Sequence, residues 1–149
     1  MVGLPVSAMP TSGTATYNMY GGTAPTCTGP SCGAISIGSS LTVNFGSNSG
    51  SYSLVMANSG DGVNLSGGGG LSFSGGGVNF SGSGAMSAVS GSTAVNSAYG
   101  RVDGFLAGPA ASHAGAGYTI NYSALGAMTE VYGAAVYKRG AISATQPPP

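Results

Sequence analysis

His113 is the single histidine of the chain, so any nucleophilic hydrolysis would have to be built around it. A serine, His113 and either Asp61 or Asp103 supply the residue types of a triad. Such catalysis needs a base held against the nucleophile and a third group that orients the base. No G-x-S-x-G elbow presents a serine for the purpose, and a turn histidine bonded to backbone accounts for His113 equally well. Paired carboxylates for glycoside cleavage would have to come from Asp61, Asp103 and Glu130. Asp103 stands two residues from Arg101, which puts both on one face of a strand and favours an ion pair. The glycines at 67–70 are followed by no Lys-Ser/Thr pair, and the only lysine is Lys138, so no phosphate loop is present. A soft ligand such as haem would take His113, a tyrosine or a methionine. The expectation is a protein without catalytic residues, metal or cofactor, with His113 as the one candidate haem ligand.

The whole chain shares this poverty of ionisable groups. Of 149 residues, three are Lys or Arg and three are Asp or Glu, which is 4%, against about 25% in an ordinary domain. The formal net charge is zero. Nucleic-acid binding needs a basic stripe, and Lys138 with Arg139 is the only adjacent basic pair. Low charge also leaves little repulsion between copies of the chain.

Cysteines occur at two positions, in Cys27-Thr-Gly-Pro-Ser-Cys32. Two thiols flanking a Gly-Pro turn can close a small disulfide loop, which implies an oxidising compartment. A free pair in a mobile loop is the alternative. Zinc would need two further ligands that the chain does not offer.

The elements that would position these residues are strands. No helical periodicity of any length is present. Short runs alternate apolar and polar residues between glycines, as strands with one buried face do. Residues 13–20 read as a first strand. Residues 39–46 alternate Leu41, Val43 and Phe45 against Thr42 and Asn44, and residues 51–57 put Tyr52, Leu54 and Met56 on one face. Gly62-Val-Asn-Leu-Ser-Gly67, Gly70-Leu-Ser-Phe-Ser-Gly75 and Gly77-Val-Asn-Phe-Ser-Gly82 repeat one template. Three unequally spaced copies favour consecutive hairpins over a solenoid. Residues 93–107, 117–123 and 131–138 complete a set of eight or so strands, as in an up-and-down barrel or sandwich. Asp61 and Glu130 fall at expected turns. Residues 1–12, with Pro5 and Pro10, read as an extended arm, and residues 141–149 as a Pro-rich tail. That leaves residues 13–140 for the barrel domain. No apolar run reaches the length of a membrane-spanning helix, and no signal peptide is visible at the N-terminus.

The most specific stretch is Gly104-Phe-Leu-Ala-Gly-Pro-Ala-Ala-Ser-His-Ala-Gly-Ala-Gly-Tyr118. A strand ending at Ala107 would turn at Gly108 and Pro109, with one helical turn over residues 110–113. This resembles the signature of the transferrin-binding protein B-like β-barrel domain, found in bacterial surface lipoproteins and at the C-termini of FecR-type proteins. The matching positions are Gly104, Phe105, Gly108, Pro109, Ala111, Gly115, Gly117 and Tyr118. Residues 13–17 and 40–45 are similar to that family's opening strands. Ser112 and His113 stand where the family often has a glutamate. The resemblance implies an all-β fold, an eight-stranded antiparallel up-and-down β-barrel with one short helical turn. It also implies export and a non-catalytic binding role.

Two functional readings follow. In the first, the chain is a structural or adhesive subunit of a self-associating extracellular assembly or filament on a bacterial surface. Copies would join through neutral walls and through the terminal arms, with Leu4, Pro5, Val6, Pro147, Pro148 and Pro149 as linking residues. In the second, it is a monomeric surface or secreted binding module for haem, an iron-carrier protein or another host or surface protein.

Overall fold

Period-two alternation decides the architecture. In the computed structural model, which describes residues 10–30 and 32–142, nine strands form one antiparallel sheet. They are β1 (Thr14–Gly22), β2 (Thr26–Thr28), β3 (Ile35–Asn44), β4 (Ser49–Asn58), β5 (Val63–Ser74), β6 (Asn79–Ala88), β7 (Val95–Ala107), β8 (His113–Ala124) and β9 (Ala127–Arg139). From β3 onward each strand pairs with the next. β1 pairs with β3 on one side and with β9 on the other, which closes an eight-stranded barrel. The short β2 continues along β9 beyond β1, placing Thr26, Cys27 and Thr28 opposite Tyr132, Val131 and Glu130. Closure removes the unpaired edges that a chain with so few charges could not otherwise protect.

An eight-stranded barrel has an interior just wide enough for side chains to fill. Tyr17, Tyr122, Tyr137, Leu41, Leu54, Leu65, Leu106 and Ile120 are fully buried there. Glycine makes room for the larger groups. Met86 lies over Gly67 and Gly100, Phe80 over Gly104, and Tyr52 over Gly69 and Gly82. Each covers the space that a Cβ on the facing strand would take. Cys27 and Cys32 form a disulfide.

Three sequence expectations are corrected. The repeated template gives two strands, because its first two copies lie in β5 and only the third opens β6. The glycines at 67–70 therefore run mid-strand, where they receive Met86 and Tyr52. The helical turn over residues 110–113 is absent. Ala110 and Ala111 have φ of 51° and 53°, the left-handed pair of a mirror-image hairpin turn, which matches the twist of the strands it joins. Glu130 is not at a turn but within β9, opposite Asn121. The linking residues Leu4, Pro5, Val6, Pro147, Pro148 and Pro149 lie outside the described residues.

Candidate functional site

Closure of the barrel sorts its outer surface into two unlike walls. The strands β3, β4, β5 and β6 contain no Asp, Glu, Lys, Arg or His. Their outward positions include Ser51 and Ser53 on β4, Ser66, Gly68, Gly70 and Ser72 on β5, and Ser81 and Ser83 on β6. Five of the six formal charges, Arg101, Asp103, Glu130, Lys138 and Arg139, lie on β7 and β9 instead.

Antiparallel register arranges the second wall in rows. Tyr99, Asn121, Glu130 and Thr28 form one row; Arg101, Thr119, Tyr132 and Thr26 form the next; Asp103, Gly117 and Ala134 form the third. Arg101 Nε and Nη2 donate to the two Asp103 carboxylate oxygens at 2.7 and 3.1 Å. Both residues are exposed, and the mutual hydrogen bond and charge raise the guanidinium pKa. The same wall carries large exposed side chains: Tyr99 at 50%, Tyr132 at 41% and Met128 at 63%. An open groove of about 680 Å³ crosses the wall where β1 leaves β9, bordered by Asp103, Tyr118, Glu130, Tyr132 and Thr23.

The chemistry-bearing residues named from sequence do not converge. Asp61 accepts hydrogen bonds from the Tyr122 hydroxyl at 2.6 Å and from the Val63 amide at 3.0 Å. Asn58, 1% exposed, receives the Gly33 and Gly60 amides at 2.9 Å and donates to Tyr122 at 2.8 Å. This cluster pins one end of the barrel. His113 begins β8 on the outer wall, with Nδ1 2.9 Å from Ser112 Oγ and its ring edge-on to Tyr20 at 6.2 Å. The signature residues build the β7–β8 hairpin. Gly104 lies under Phe80, Gly108 turns with a φ of 80°, and the Ala111 carbonyl accepts the Tyr17 hydroxyl at 2.6 Å.

Tyr118 is the exception among five inward tyrosines. Tyr17, Tyr52, Tyr122 and Tyr137 each donate to an oxygen. Tyr118 is 3% exposed, and its hydroxyl is buried without a partner among the described residues. Burial, with Tyr137 nearby, pushes its pKa up and keeps it neutral. The sequence reading passed over Tyr99 and Tyr132 as site residues and marked Tyr118 only as a position of the 104–118 signature. One signal was available: the spacing of Arg101 and Asp103 fixes the outward parity of β7, and Tyr99 shares it.

No family model and no curated protein matches the chain. Among solved structures, a mutant of transferrin binding protein B from Haemophilus parasuis Hp5 is similar at 15% identity and a TM-score of 0.49, covering 88% of this chain and 27% of that one. Isotype 1 transferrin binding protein B from serogroup B Neisseria meningitidis is similar at 15% identity and a TM-score of 0.49, covering 93% of this chain and 28% of that one. The chain thus spans little more than a quarter of either protein.

Proposed function

We propose that this barrel is a non-catalytic, extracellular or surface-exposed binding module that engages a protein partner through the outer wall of β7, β8 and β9. One observation carries the reading. The exposed aromatic side chains Tyr99 and Tyr132 and the Arg101–Asp103 pair occupy one wall, while the wall from β3 to β6 is uncharged and largely Ser and Gly. Tyr and Arg are the residues that most often anchor protein interfaces. The disulfide suits an oxidising location, and the resemblance of the 104–118 segment implies the same class of role. The filament reading joins copies through neutral walls and through terminal arms, and the linking residues of the arms lie outside the described residues.

The test uses a photo-crosslinking amino acid placed at position 132 and, separately, at position 66 on the neutral wall. Light scattering of the purified chain is expected to show a monomer. A discrete adduct with a different protein is expected from position 132 and not from position 66 when the chain is expressed in its native organism. Transferrin, named for the similar solved structures, is the first purified probe. Polymerised chain, or adducts between copies through position 66, overturns the binding reading in favour of assembly.

A further inference from the structure

The groove on this wall has an electrostatic sense. Glu130 borders it, and its carboxylate makes no hydrogen bond or ion pair among the described residues, whereas Asp103 is already engaged by Arg101. Tyr132 presents an exposed ring beside Glu130. At the floor, the ring of Tyr118 passes against Gly133. A Cβ at Gly133 would stand 2.6 Å from the Tyr118 hydroxyl oxygen and 3.2 Å from Thr23 Oγ1. The phenol oxygen therefore lies beside Gly133 of β9 and Thr23 of the segment leaving β1, and it has no hydrogen-bond partner among the described residues. A buried hydroxyl left unpaired costs about 1–3 kcal/mol, and Tyr118 is one of the residues that line the groove.

We infer that the groove binds a cationic side chain, a lysine or arginine presented by a partner protein. The ammonium or guanidinium would donate to the Glu130 carboxylate and to the Tyr118 phenol oxygen, with its stem against the Tyr132 ring. Carboxylate–cation bonds are the strong class of hydrogen bond, and an aromatic face within about 6 Å adds a cation–π attraction. The inference rests on the binding reading above and names the chemistry of the partner's anchor.

The test titrates the full chain, followed by amide NMR, with n-butylammonium, with n-propylguanidinium and with 1-butanol as the uncharged control. The cations are expected to shift the Gly117, Thr119 and Gly133 amides saturably, and 1-butanol is not. Glu130→Gln should weaken cation binding at least fivefold. Tyr118→Phe, which keeps the ring and the packing, should weaken it about threefold. Retained amide dispersion establishes that both variants fold. Equal response to 1-butanol, no saturable shift, or unchanged affinity in Glu130→Gln overturns the cation site. If adducts at position 132 persist in that case, the binding wall stands without it. Cation binding without any adduct at position 132 rejects the protein partner instead.

Discussion

Tyr52 on β4 lies over Gly82 on β6, across the intervening β5. Two carbons of its ring would stand 2.9 Å from a Cβ at position 82, and the Gly70 carbonyl oxygen 2.6 Å from it. An inward glycine on one strand and an inward aromatic on another thus act as a single packing unit. Overpacking such a site typically costs about 1–3 kcal/mol. Gly82→Ala is expected to destabilise the barrel by about 3 kcal/mol, read as a drop in the urea midpoint. Gly70 is the control, since its nearest atom would be 3.9 Å away. Gly70→Ala should be neutral or stabilising by up to about 1 kcal/mol. Equal losses in the two variants would show that contact with the Tyr52 ring and the Gly70 carbonyl does not set the requirement for glycine at position 82.

The Cys27–Cys32 bridge closes a loop with a sequence separation of 5. Loop-entropy arguments give about 2 kcal/mol for so short a closure. β2 is held to β9 by three residue pairs only. Reduction is therefore expected to act locally. Amide exchange at Thr26 and Thr28 should accelerate by at least tenfold, with the cores of β4 and β8 unchanged. Uniform acceleration across all strands would show instead that β2 is part of the global cooperative unit.

Alkaline pH should unfold the barrel. Burial raises the pKa of Tyr17, Tyr52, Tyr118, Tyr122 and Tyr137 above 10.0. The unfolded chain loses these protons near pH 10 while the native barrel keeps them. The stability they contribute is fully present below pH 10 and declines as pH rises beyond it toward the folded-state values. Each fully retained proton contributes a slope of about 1.4 kcal/mol per pH unit. The unfolded tyrosine is still half protonated at pH 10, so Tyr17→Phe should lower the mean slope between pH 10 and 11 by about 1 kcal/mol per pH unit. Urea titrations at both values check it, and an unchanged slope would mean that Tyr17 ionises normally in the fold.

The sequence by itself determined the strand chemistry. Period-two alternation marks Leu41, Val43, Tyr52, Leu54 and Met56 as inward, and all five are buried. The spacing of Arg101 and Asp103 announced an ion pair, which forms. These are local facts, because neighbours on a strand share a face whatever the strand pairs with. Tertiary structure decided the rest. Whether residues 67–70 turn or run straight depends on Met86 and Tyr52, which arrive from other strands. Whether residues 110–113 coil depends on the hairpin twist they must join. The grouping of Tyr99, Arg101, Asp103, Glu130 and Tyr132 on one wall, with Tyr118 beneath it, exists only through the register of β7, β8 and β9. Register is a long-range property: a shift of one residue reverses every side chain of a strand, and only the closed barrel selects one solution.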